Sequence, residues 1–208
     1  MNPRPPRRPG PWRPRPWALV LLILAFSLPA LARMPRRRIG VHWYQGVPHV
    51  WFSARDLVSP RIRQELQSGL RKRLVMTIQA FREGGGAPLA TREIACGVYW
   101  DVWQEVYRVR VGGRLREEPD LEGALERCLV ARRLPIGDAE DYAPHRERSI
   151  YFAVRAEFNP ISRRQCRDLL RPSQGDHPIG PVVINIVRRQ ICQAERAIQF
   201  RSPPGPIP

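Results

Sequence analysis

The chain has 208 residues, 35 Lys and Arg against 19 Asp and Glu, a formal net charge of +16, and 23 prolines. That length suits one domain of ordinary size behind a processed leader. A charge this large excludes a neutral or acidic surface and directs attention to anionic partners: lipid, polysaccharide, an acidic protein or nucleic acid.

Residues 1–16 hold Arg4, Arg7, Arg8, Arg13 and Arg15 and no acid, and the apolar stretch WALVLLILAFSLPALA follows at 17–32. The apolar part is shorter than the about 20 residues of a membrane span. Pro29 breaks a helix just before Ala30-Leu31-Ala32. A basic head, a short apolar middle and a small-x-small end read as a secretory signal peptide over 1–32, cleaved after Ala32. The alternative is an uncleaved anchor, which would associate the domain with a membrane. Subtracting those five arginines takes the net charge from +16 to +11. Export places the protein in the periplasm or otherwise outside the cytoplasm. It makes nucleic acid an unexpected partner and leaves an anionic envelope component or an envelope protein.

Residues 33–46 begin RMPRRR and read as a basic leader. A single α+β domain is expected over 47–202. VPHVWFSARDLV (47–58) reads as its first strand. Ser59 and Pro60 then supply an N-cap and a first helical residue. Ile62, Leu66 and Leu70 share one face, and Gly69 is a stop signal. KRLVMTIQAF (72–81) alternates Leu74, Met76, Ile78 and Ala80 to one side, so a strand is expected over 72–82. Gly84, Gly85 and Gly86 lack the Gly-Lys-Ser/Thr ending of a phosphate loop and fit a hairpin connection.

Residues 96–111, CGVYWDVWQEVYRVRV, are dense in aromatic rings. Ile94, Cys96, Val98 and Trp100 alternate with Ala95, Gly97 and Tyr99. Beyond a turn near 101–105, Tyr107, Val109 and Val111 alternate with Arg108 and Arg110. The period of two on both arms predicts a hairpin with strands near 91–101 and 106–115, most of the rings lying inside the sheet and Trp103 exposed at the turn. PDLEGALERCLV (119–130) reads as a helix capped by Asp120, with Leu121, Leu125, Cys128 and Leu129 buried. SIYFAVRAEF (149–158) is the clearest strand. Ser162 and Gln165 form a capping-box pattern for a helix over 162–171. A fourth helix is expected near 182–195, and residues 203–208 read as a disordered tail.

Four cysteines in an exported chain imply disulfides, with three possible pairings. Cys96–Cys128 and Cys166–Cys192 are favoured because each ties neighbouring elements, and Cys128 and Cys96 are both expected to face the core. No Cys-x-x-Cys and no nearby His spacing supports a metal site, and no cofactor motif is present.

The stretches FSARDLVSPRIRQELQSGLRKRLVMTIQAFRE, CGVYWDVWQEVYRV, LEGALERCLVARRLPI and RSIYFAVRAEFNPIS, over about residues 48–160, resemble a family of bacterial envelope proteins known only as a domain of unknown function (number 4390). The matching features are Ser68–Gly69 before a long strand, the element from Tyr99 to Tyr107, and the strand over 148–160. This chain has Tyr-Trp-Asp where that family has a Tyr-Asp pair, and it adds a cysteine-bearing C-terminal extension. The resemblance implies export and no transferable activity.

The reading that follows is a non-catalytic binding or accessory domain with an antiparallel sheet, or two packed sheets, and three or four covering helices. Its contact candidates are Arg61, Arg63, Arg71 and Arg73 near the first helix, Arg163, Arg164 and Arg167 near the third, and Trp103. Arginine forks grip carboxylate and phosphate. Two alternatives are weaker. An enzyme would use the Asp138, Glu140, Asp141 and His145 loop for acid–base work. A nucleic-acid binder would require that residues 1–32 are not a signal.

Overall fold

Alternating apolar residues build the larger of two antiparallel sheets in this computed structural model, which describes residues 34–161, Cys166 and residues 193–208. The expected signal peptide lies outside the described residues, as do most of the expected third and fourth helices.

Within that span the fold is α+β. Strands β1 (Gly40–Tyr44) and β2 (Val47–Ser53) form a hairpin closed by Gln45 and Gly46, both at positive φ (50° and 76°). Two left-handed residues match the twist of paired strands. This corrects the basic leader over 33–46: Ile39 is buried, Arg36 bridges Arg201, and the Arg37 N–H donates to the Arg201 carbonyl at 2.8 Å.

Helix α1 (Pro60–Gln67) starts where Ser59 Oγ accepts from the Ile62 N–H, and it buries Ile62 and Leu66. Gly69, at φ 78°, ends the helical path, so Leu70 leaves the expected face and is 65% exposed. Next come β3 (Lys72–Arg82), β4 (Ala90–Asp101), β5 (Val106–Val111) and β6 (Arg114–Glu118). The single strand expected over 106–115 is two, because Gly112 and Gly113 at φ 55° and 81° reverse the chain. Asp120 accepts from the Gly123 N–H at 2.7 Å and caps α2 (Leu121–Leu129). That helix runs directly into β7 (Val130–Pro135), which pairs with β2. A short α3 (Ala139–Tyr142) precedes β8 (Ser149–Phe158).

The C-terminal stretch corrects two expectations. Residues 193–195 are not helical, and Arg196–Arg201 is a strand, β9. Ile198 and Phe200 alternate with Ala197 and Gln199, which suits a sheet edge better than a helix face. The expected disordered tail carries β10 (Gly205–Pro206), and Ser202 and Ile207 are buried. Ser202 Oγ accepts from the Phe152 N–H at 2.9 Å, which fastens that end to β8.

The small sheet has the order β1-β2-β7. The large sheet runs β10-β8-β3-β4-β5-β6, with β9 also on β8. Register puts Phe158, Leu74, Cys96 and Val111 in one row across β8, β3, β4 and β5. This is the inner face. It packs against α1, α2 and the small sheet, with Phe52 edge-on to Phe200 at 5.9 Å. Cys96, on β4, is bonded to Cys128, on α2, with the two Cα atoms 5.4 Å apart. Cys166 is also disulfide-bonded, and Cys192 lies outside the described residues. Trp100 and Tyr107 meet at 4.7 Å against this core, so those two rings of the aromatic cluster are interior.

Candidate anion-binding site

The same alternation that buries Leu74, Cys96 and Val111 sends Arg73, Gly97 and Arg110 to the opposite, outer face. They pair directly: Arg73 with Gly97, and Gly97 with Arg110. Glycine has no side chain to fill the space between two arginines on neighbouring strands. A Cβ built at Gly97 meets nothing within 4 Å. The row is a gap floored by backbone and walled by two exposed guanidinium-bearing chains. Glycine inside a strand commonly marks a close approach by a ligand or another backbone.

This row belongs to a groove of about 1200 Å³ that is also lined by Arg71, Arg92, Ala95, Val111 and Leu134. Its cations differ in how well they are neutralised. Lys72, also on the wall, bonds Glu65 at 2.9 Å and lies over the Phe158 ring. It holds the Glu65 carboxyl below its ordinary range, the largest cause being that hydrogen bond. Arg73 reaches Glu93 only at 4.0 Å, with both side chains about half exposed. Arg71 lies over the Tyr99 ring at 5.0 Å, a cation–π contact that leaves its charge uncompensated. Arg92 and Arg110 have no ion pair among the described residues.

One row further along the face, Arg108 pairs with Tyr99 and is fully engaged. It donates to Asp101 at 2.7 Å, Glu117 at 2.9 Å and Gln104 at 2.6 Å. The Asp101 carboxyl is held below its ordinary range, first by the Arg108 hydrogen bond and then by the Gln104 and Trp103 backbone N–H groups, which outweigh desolvation. These bonds shape the β4–β5 turn, with Glu105 at φ 52°, and leave Trp103 92% exposed at its tip.

The structure separates the arginines that sequence placed together. Arg61 pairs with Glu65 at 3.1 Å, one helical turn away, and Arg63 pairs with Glu122 of α2 at 2.5 Å. Arg71 and Arg73 line the groove. Arg163, Arg164 and Arg167 lie outside the described residues. Trp103 sits at the turn, apart from the groove lining. Sequence reasoning missed Arg92 and Arg110 as contact residues. The signal available for Arg110 was its outward place in the alternation opposite a glycine.

In the loop carrying Asp138, Glu140, Asp141 and His145, the acids Asp138 and Asp141 sit at the start of α3. Asp141 accepts from the Asp138 N–H at 2.9 Å, and the Tyr142 hydroxyl donates to the Ile136 carbonyl at 2.7 Å. Burial, then Asp141 and Asp138, push the Tyr142 hydroxyl well above its ordinary range. Among the described residues no group of three or more His, Cys, Asp or Glu side chains is placed to hold a metal ion. No helix among them is long and apolar enough to cross a membrane.

No protein-family model, curated protein or solved structure matches the chain.

Proposed function

We propose that this chain is an exported envelope domain that acts by binding, and that its outer sheet face takes an anionic partner. The observation that carries the reading is the row Arg73–Gly97–Arg110, two cations facing across an empty backbone floor. Poorly compensated guanidiniums can grip an oxyanion, and the sheet register fixes the backbone positions from which the two arginines reach. The disulfide between Cys96 and Cys128 supports an oxidising compartment. The sequence of residues 1–32 supports the same location.

The test is equilibrium binding of the chain beginning at Arg33 to anionic vesicles, anionic glycans and acidic peptides at low salt. Binding to one of these classes is expected, weakening steeply as salt rises. It should be lost in Arg73→Ala/Arg110→Ala and kept in Arg61→Ala/Arg63→Ala. Absence of binding to all three classes at low salt overturns the proposal. The export half is read separately by mass spectrometry of the native protein. A chain starting at Arg33 without free thiols is expected; an intact Met1 with four thiols contradicts it.

A further inference from the structure

Among the described residues, the groove ends on a strand edge without a partner strand. β4 pairs with β3 from Ala90 through Val98, but with β5 only from Cys96 onward. Thr91 to Ala95 therefore has a ladder on one side alone among the described residues.

Hydrogen-bond parity shows which groups point to the open side. In an antiparallel sheet a residue's N–H and C=O face the same neighbour, and successive residues face opposite ones. The Asn159 N–H donates to the Arg73 carbonyl at 2.6 Å, and the Glu83 N–H donates to the Ser149 carbonyl at 2.9 Å. Odd-numbered residues along β3 thus face β8, and even-numbered ones face β4. Met76 bonds Ile94, and Ile78 bonds Arg92, in register. Thr91, Glu93 and Ala95 turn their backbone groups away from β3, toward the open side.

We propose that this edge accepts an extended acidic peptide segment as an added strand, the charge on it held by Arg73 and Arg110 of the outer face. The inference deepens the binding function proposed above and rests on it. Charge selects the occupant: Glu93 is the only acid among the described lining residues, against five cations. A second copy of this chain would bring the same arginines against themselves. The two sides of the edge select the pattern. An added strand puts alternate side chains on the outer face with Arg73 and Arg110, and the rest on the face of Ile94 and Leu134, where the long Arg92 chain also lies. Acidic residues on the first side and apolar ones on the second should therefore alternate.

The probe is a short, labelled synthetic peptide of alternating Glu and Val, titrated into the chain beginning at Arg33. A second peptide carries the same side chains with every other backbone nitrogen methylated. The first is expected to bind, and methylation should weaken it by about tenfold or more, the loss of one or two backbone hydrogen bonds. Ala95→Pro should cost binding similarly while keeping the melting temperature near wild type, because the N–H it removes does not serve β3. Equal binding of the two peptides overturns the inference, and that arm needs no variant to fold. Binding of anionic vesicles but neither peptide also overturns it and leaves the broader reading standing. Failure of every anionic probe at low salt overturns both. Self-association through this edge, seen by analytical ultracentrifugation and abolished by Ala95→Pro, would replace the peptide by a second copy and contradict the proposal.

Discussion

The arginines of α1 and those of the outer sheet face begin as equals in sequence and end in different electrostatic states. Arg61 meets Glu65 one helical turn on, and Arg63 meets Glu122 on the neighbouring helix. Arg73 and Arg110 meet Gly97, which offers nothing to either. On a helix, residues four apart are neighbours, so a local acid neutralises a local base. On a sheet the neighbours come from other strands, and register decides whether a charge is compensated. The difference teaches that charge count alone does not mark a binding surface. The relevant quantity is charge left over after the fold has made its own pairs.

That contrast presupposes a rigid inner face, and the largest expected effects break it there. Replacing both Cys96 and Cys128 with Ala removes a buried link between β4 and α2 across 32 residues of sequence. The chain-entropy model puts the loss at about 3–4 kcal/mol, which calorimetry would show as a strongly lowered melting temperature. Met76→Ala, on the inner face with 1% exposure, should cost about 2–4 kcal/mol in denaturant unfolding.

Outer-face changes should do the reverse, moving binding and sparing stability. Arg73→Ala/Arg110→Ala is expected to stay within about 0.5–1 kcal/mol of wild type in the same unfolding measurement, since exposed ion pairs contribute little. Gly97→Leu sharpens the point. Its Cβ has open space in the free protein, so the fold should hold while the floor of the row is filled. A stable Gly97→Leu protein that binds as well as wild type would remove the floor from the site.

The smallest expected effect is a pH dependence of the β4–β5 turn. The folded-state pKa of Asp101 lies below its ordinary value of 3.8, chiefly through Arg108. Its contribution is present above that ordinary value and fades as pH falls through the folded one. Amide chemical shifts of Trp103 and Gln104 should therefore move in acid below about pH 4, and Asp101→Asn should abolish that titration.

Much of the architecture was legible because alternation survives in single strands. Leu74 to Ala80, Ile94 to Trp100 and Ile150 to Phe158 each present one apolar side, and Cys128 fell on the buried stripe of α2. β1 was hidden by the arginine run before it, since pairing there depends on two left-handed turn residues, Gln45 and Gly46. β7 was hidden because VARRLP has no clean period and follows α2 without a break. β9 was masked by the helix-like spacing of the segment leading into it, and β10 by prolines that read as a tail, although the order there comes from Ser202 and Ile207 packing at that end. The outward places of Arg73 and Arg110 were legible from alternation, but their meeting across Gly97 in one row was not. The row joins positions 24 and 13 residues apart, and their alignment depends on the geometry of two hairpin loops.

The most direct measurement titrates one acidic probe, the alternating Glu-Val peptide, against wild type, Arg61→Ala/Arg63→Ala and Arg73→Ala/Arg110→Ala at low and moderate salt. Leftover sheet charge as the binding determinant requires that the helix variant bind like wild type and the sheet variant lose both affinity and salt dependence. Equal losses in the two variants would mean that overall positive charge, and no particular row of the sheet, attracts the ligand.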